Sequence, residues 1–347
     1  GNKSDGKSGR DSLGGIFFLA LTLVLVSFSC TGPIVGSVLI KSIQGEFFVP
    51  IVTMLAFSLA FALPFVLLAM FPGLLKSLPK SGGWLDSVKI VIAFIEVALS
   101  LKFLSVADQT YHWGILPRSL YLVIWIITFG AMSLYLWGAY KFPHEAPLKK
   151  LRPVRIGFAT ISSAFTICLI AGLFNVLPLK ALSGYLPPQK QETVSSGAKY
   201  SDFLSFPHGL TGYFTLEEAQ TASKAEGKPI FVQFTGHGCV NCREMEARVW
   251  SDPQVLDILK NKYILCALYG DDQTTVPEAE WLYKKDGKVL KTLGEINTYV
   301  VYQKYGISSQ PAYLVIDYKG NVVKDLYSYN LSIKDFIEYL EYGCVNF

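Results

Sequence analysis

The stretch Phe231-Val-Gln-Phe-Thr-Gly-His-Gly-Cys239-Val-Asn-Cys242-Arg-Glu-Met-Glu246 decides how the rest of the chain is read. Ile230 to Phe234 is a β-branched and aromatic run, which predicts a buried strand. The residues after Cys239 predict a helix, and Thr235-Gly-His-Gly predicts the tight turn between the two. Two cysteines three apart at a helix start share one face, close enough to be joined by a disulfide. Cys239 sits where unpaired backbone N–H groups and the helix dipole favour a thiolate. A strand-turn-helix carrying C-x-x-C points to dithiol redox chemistry. Half of a zinc site and a structural disulfide are the alternatives. Zinc wants four ligands, and no second C-x-x-C or H-x-x-x-H pair lies nearby.

The 347 residues are enough for two or three domains. They are 51% hydrophobic and only 17% charged, against about 25% charged for an ordinary soluble domain. The deficit falls on the first half; from about Tyr200 the composition is that of a soluble domain. A membrane part therefore precedes a globular one. A net charge of +4, concentrated beside the apolar runs, gives no footprint for nucleic acid. Six cysteines, of which only two form a C-x-x-C, do not make a disulfide framework. A start at Gly1 rather than Met predicts a processed chain or a fragment.

Residues 1–12 are polar and glycine-rich, expected to be disordered on the cytoplasmic side. Five apolar runs follow within 13–180, at 13–40, 47–71, 88–106, 119–140 and 156–177. Each reaches the roughly 17–25 residues a bilayer demands. Glu96 and Lys102 interrupt the third, which should face protein or water there. Lysine and arginine crowd the segment before the first run and the loops after the second and fourth, notably Lys141, Lys149, Lys150, Arg152 and Arg155. The positive-inside rule then puts the N-terminus in the cytoplasm and, with five spans, everything after Leu177 outside. A lipoprotein signal ending at Cys30 is the rival for the first run, but the apolar character continues past it to Ile40. Ser29-Cys30-Thr-Gly-Pro33 sits inside that run, and Pro33 breaks the helix there. A thiol at such a break can be reached from water; the plainer reading is a small apolar side chain. Cys168, with no helix breaker beside it, reads as packing.

Residues 181–201 are rich in Pro, Ser, Gln and Lys and read as a linker. In 202–347 a helix begins at Thr215, with Glu218 as its capping-box partner. The strand 229–234 and the C-x-x-C helix follow, then a helix from Asp252-Pro253 and a strand at 263–269. Residues 271–297 form a polar excursion with no readable element. A helix near 298–305, strands at 312–317 and 322–327, and a helix at 332–342 close the chain. The order β-α-β-α-β-β-α is that of a thioredoxin fold. Such folds hold a cis-proline against the C-x-x-C, and Pro311 stands in that place, with Gln310 and Ala312 bordering a substrate groove. Cys266 and Cys344 read as core or incidental.

Phe28-Ser-Cys-Thr-Gly-Pro33 in the first run, Ser81-Gly-Gly-Trp-Leu-Asp-Ser-Val-Lys89 before the third, and Cys239-Val-Asn-Cys-Arg-Glu-Met-Glu246 together resemble the DsbD family. These are bacterial thiol:disulfide interchange proteins, also described as cytochrome c biogenesis transmembrane proteins. The resemblance implies a helical membrane domain of five transmembrane helices, the last five of the family's eight, followed by an α/β thioredoxin-fold domain. It matches Cys30 to a membrane cysteine, Cys239 and Cys242 to the C-terminal pair, and Glu246 to an acid near that pair. Gln233 stands where the family has a buried acid, so proton handling falls to Glu246, His237 or water. His237 is otherwise expected to face solvent in its loop. The N-terminal half, with the cysteine that partners Cys30, is not in these residues, which implies a fragment or part of a split system.

The same resemblance implies a protein-disulfide reductase of the bacterial inner membrane with a periplasmic redox domain. Cytoplasmic thioredoxin would donate electrons. Periplasmic thioredoxin-like or disulfide isomerase proteins and cytochrome c maturation factors would accept them, with the missing half as a further partner. The chemistry needs no metal and no organic cofactor, only redox-active cysteine pairs. Two other classes stay open: a membrane-anchored thioredoxin-fold holdase whose dithiol is incidental, and a transporter with a redox-sensing tail.

Overall fold

The computed structural model describes residues 48–70, 82–140, 153–188, 197–284 and 287–347. Residues 1–81 and 82–347 are separate compact units. In the first, α1 spans Phe48–Met70 and contains the apolar stretch Ile51–Ala60. The expected span at 13–40, with Cys30, lies outside the described residues.

In the second unit α2 (Gly82–Thr110), α3 (Arg118–Trp137) and α4 (Pro153–Leu173) run back and forth. Three helices among the described residues are long and apolar enough to cross a membrane, within Ile90–Thr110, Arg118–Trp137 and Pro153–Leu173. The five spans read from the sequence are therefore not all established. Ile95, Phe103, Ile127, Ile161 and Ile167 are exposed on the outer faces, as side chains meant for lipid must be. Tyr121, Leu122, Trp125 and Leu169 fill the inside. Small side chains bring α3 and α4 together: Ser133 and Ser163 share a 2.6 Å hydrogen bond, and Ser162 donates to the Phe129 carbonyl. Lys102 is buried and Glu96 half-buried, so both face protein as expected. Cys168 is exposed on α4 rather than packed inside, a correction to its reading.

The two ends of this bundle differ. At one, Arg155 donates to the last carbonyls of α3, Tyr135 (2.7 Å) and Leu136 (2.9 Å), and to the Ser87 hydroxyl. A cation there complements the negative end of a helix. At the other, the loop after α2 wraps around Asp108, whose carboxylate accepts the N–H of Ile115 (2.8 Å) and Leu116 (3.1 Å). Tyr111 and Trp113 stack beside it, exposed. After α4 the chain folds back along this end: Leu186 packs among Ala98, Leu116 and Tyr121, and Tyr121 donates to the Tyr185 carbonyl.

The rest is a layered α/β domain: α5 (Leu216–Glu226), β1 (Ile230–Thr235), α6 (Val240–Arg248), α7 (Pro253–Lys262), β2 (Ile264–Tyr269), β3 (Leu282–Tyr283), β4 (Val289–Leu290), α8 (Leu293–Tyr305), β5 (Ala312–Ile316), β6 (Val322–Tyr327) and α9 (Ile333–Val345). The main sheet has the order β2-β1-β5-β6, with β1 parallel to β2 and antiparallel to β5. Its alternation sorts side chains to two faces. Phe231, Leu265, Tyr313 and Val315 meet Met245, Val255, Leu259 and Phe336 on one face. Ile230, Val232, Leu268 and Leu314 meet Leu216, Ala219 and Val301 on the other. Being central, β1 is buried along its whole length, which is why it reads as an apolar run interrupted only by Gln233 before Thr235. This is the expected thioredoxin-like arrangement following a membrane domain. The excursion at 271–297 contains the β3–β4 hairpin, and α8 begins at Leu293, earlier than expected.

Candidate functional site

Parallel pairing of β1 with β2 and the turn Gly236-His-Gly238 bring α6 up at the end of the sheet, with Cys239 as its N-cap. Cys239 and Cys242 are joined by a disulfide, their Cα atoms 5.3 Å apart. The Cys242 N–H donates to the Cys239 sulfur at 3.1 Å, satisfying one of the first-turn donors. Cys242 is fully buried and Cys239 half-buried, so Cys239 is the more accessible sulfur of the pair. Gln310-Pro311 is a cis peptide. The Gln310 side chain lies over Gly236 and Gly270: a Cβ on Gly236 would come within 2.7 Å of its Oε1, and one on Gly270 within 2.6 Å of its Nε2. Gln310 thus borders the disulfide turn.

A polar cluster lies beneath the pair. Gln233 projects from β1 to the α6 face and donates its Nε2–H to Glu246 Oε1 at 2.9 Å, while Arg243 holds Oε2 at 3.0 Å. All three residues are buried. Burial works against the Arg243 charge, but Glu246 and then Tyr269 outweigh it and keep the guanidinium cationic. Glu246 is four residues beyond Cys242, on the same helix face.

The turn is fixed from the end of β2. Asp271 Oδ1 accepts the His237 N–H and Oδ2 the Gly238 N–H, both at 2.9 Å. His237 is buried and stacks on Tyr269, rather than facing solvent. Its Nε2–H donates to Asp272 Oδ2 at 2.9 Å, and the His112 Nε2–H donates to the same oxygen at 2.8 Å. Thr274 N–H donates to Oδ1. Burial would raise the Asp272 carboxyl, but these donors outweigh it and hold it well below the usual carboxylate range. The ligand-type atoms of His112, His237 and Asp272 lie within 4.8 Å of one another, a set that could hold a metal ion.

Cys239, Cys242, His237, Gln310 and Glu246 thus lie around the turn between β1 and α6 and the first turns of that helix. Cys266 is fully buried, its thiol pushed up by burial, and Cys344 packs at the edge of the core. His112, Arg243, Asp271 and Asp272 were missed. The one local signal was the acidic pair directly after a buried strand.

Residues 2–107 match the family described as the cytochrome C biogenesis protein transmembrane domain, and residues 216–343 match a thioredoxin-like domain. A thiol:disulfide interchange protein DsbD of Salmonella typhi is 29% identical over 258 residues, covering 74% of this chain and 39% of that protein. The Vibrio vulnificus DsbD is 25% identical over 269 residues, covering 77% and 40%. The oxidised C-terminal domain of Neisseria meningitidis DsbD matches with 19% identity and a TM-score of 0.26, covering 36% of this chain and 90% of that one. The chain thus spans about 40% of the length of these curated relatives. A membrane-domain match followed by a thioredoxin-like match, with DsbD relatives aligned over about three quarters of the chain, supports a DsbD-family protein with a thioredoxin-like domain at its C-terminal end.

Proposed function

We propose that this chain is a membrane protein-disulfide reductase that moves electrons to extracytoplasmic disulfides by thiol–disulfide exchange. The observation that carries the reading is the half-buried Cys239 joined to a buried Cys242 at the start of α6, beside Gln310-Pro311. A donor thiolate attacks Cys239, and Cys242 leaves as a thiolate and takes a proton. The donor's second thiol then attacks the mixed disulfide, releasing the Cys239 thiolate. Two electrons have moved: the donor becomes a disulfide and the pair a dithiol. In the second half the Cys239 thiolate attacks an acceptor disulfide, and Cys242 resolves the mixed disulfide and closes the ring again. Glu246, one turn on from Cys242 on the same helix face and buried with it, is the acid proposed to serve that thiol. Cys30 is the proposed thiol on the membrane side, with the cysteine of the missing half as the donor's second thiol and cytoplasmic thioredoxin as the source of the electrons. Thioredoxin-like, disulfide isomerase or cytochrome c maturation proteins of the periplasm are the proposed acceptors.

Trapping tests this in cells. Cys242→Ser should accumulate mixed disulfides through Cys239, lost again on reduction and absent from Cys239→Ser. A double Cys→Ser chain that still retains the same partners would establish the holdase reading instead.

A further inference from the structure

His112 contributes nothing to the exchange chemistry, yet it is held at unusual cost. It occupies the left-handed region, with φ at 55°, which a side chain other than glycine adopts only when its surroundings impose it. The surroundings are rigid. Asp108 grips the following loop through the N–H groups of Ile115 and Leu116, and its carbonyl accepts the Trp113 N–H. From this loop the imidazole reaches Asp272, 160 residues away in sequence, and rests against Phe203 with ring centroids 4.4 Å apart. The next residue, Gln273, donates its N–H to the Thr110 carbonyl at the end of α2. The Asp272 side chain is fully buried, with all three of its donors accounted for.

The seat covers the redox centre. Gly238 and Val240 flank Cys239, and both abut the membrane half of the chain. A Cβ on Gly238 would lie 3.3 Å from Val106 of α2, and Val240 closes over Gly184 after α4. Seating thus rests on a few polar contacts and on the small apolar contacts at Gly238 and Gly184.

We propose that His112 is a latch: a positioning residue that holds the thioredoxin-like domain on the membrane helices through Asp272, with the face around Cys239 covered. A soluble acceptor needs that same face, so receiving electrons and delivering them are mutually exclusive poses, and release of His112 from Asp272 separates them. This rests on the thiol–disulfide reading for its purpose, though not for its geometry.

The test uses the full chain in membrane vesicles, reduced, with alkylation of individual cysteines by a bulky maleimide followed by peptide mapping. His112→Ala should speed modification of Cys239 about tenfold, as expected from losing one hydrogen bond to a charged group. His112→Gln, whose amide can donate to Asp272, should restore most of the protection. Cys266, in the core, reports on folding and should stay unmodified. Should His112→Ala expose Cys266 as well, Val106→Glu replaces it: a charge against Gly238, with the clasp untouched, should free Cys239 alone. Rates for Cys239 within twofold of wild type in the folded variant overturn the latch. One zinc ion bound per wild-type chain and lost in His112→Ala also overturns it, because an Nε2 that ligates metal cannot donate to Asp272. Failure of the wild-type pair to cycle between disulfide and dithiol would sink the redox reading instead, whatever His112→Ala does.

Discussion

Arg243 and Glu246 form a buried pair three residues apart on α6, with side chains 10% and 7% exposed. Removing one partner of such a pair leaves an uncompensated charge and costs about 3–5 kcal/mol, whereas replacing both with apolar groups can be neutral. Glu246→Ala should therefore destabilise the domain by about that amount in urea unfolding followed by Trp250 fluorescence. Arg243→Met combined with Glu246→Leu should recover most of it. Equal losses in the single and double variants would mean that the pair itself stabilises the fold. Asp272 gives a pH test with a definite sign. Its carboxyl is depressed in the folded state, so its contribution is complete above its unfolded value, about 3.9, and disappears as pH falls through the folded one. Wild-type stability should drop below about pH 4 more steeply than that of Asp272→Asn, which starts lower at neutral pH. Parallel acid limbs would remove Asp272 from this role. Cys239 and Cys242 were legible in the sequence because their chemistry is local, two residues three apart at one helix start. His112 and Asp272 were not, because no pattern along the chain joins residues that only the fold brings together.

Among the elements, those with a capping side chain and a clear period were readable. Thr215 accepts the Glu218 N–H, Asp252 those of Gln254 and Val255, and Ser332 that of Asp335, and each marks its helix within a residue. The segment 271–297 failed for the opposite reason: its strands are two residues long, too short to show alternation. A start signal for α8 was nevertheless present, since Thr292 accepts the Glu295 N–H in a T-x-x-E pattern. Gly294 in that first turn disguised it, and the packing explains why glycine stands there. A Cβ at Gly294 would lie 2.7 Å from both the N and O of Asp272 and 2.9 Å from the Gly270 carbonyl. These are backbone atoms and cannot swing aside. Gly294→Ala should thus push α8 off the segment that carries Asp271 and Asp272, at about 1–3 kcal/mol, the usual range for overpacking. Urea midpoints check the stability. A faster alkylation of Cys239 in the same variant would show that α8 positions the turn from behind.

At the scale of the whole molecule the question is which side of the membrane carries the disulfide. The redox domain touches the chain at the end of α2, through His112, and again just after α4, where Lys180 donates to Ser251. Since both α3 and α4 run between them, one in each direction, these two points lie on the same side of the bundle. The opposite end is where Arg155 caps α3, next to the loop that holds Lys141, Lys149, Lys150 and Arg152. Positive loops stay in the cytoplasm, so the proposed orientation, with the thioredoxin-like domain outside, is testable without knowing how many spans precede α2. A cysteine placed at Lys334, exposed in the first turn of α9, should be labelled by a membrane-impermeant maleimide in intact cells stripped of their outer wall. A cysteine at Lys149 should be labelled only after permeabilisation. The reverse pattern would put the disulfide in the cytoplasm, where thiols are already kept reduced. A relay that carries electrons outward would then have no acceptor to serve.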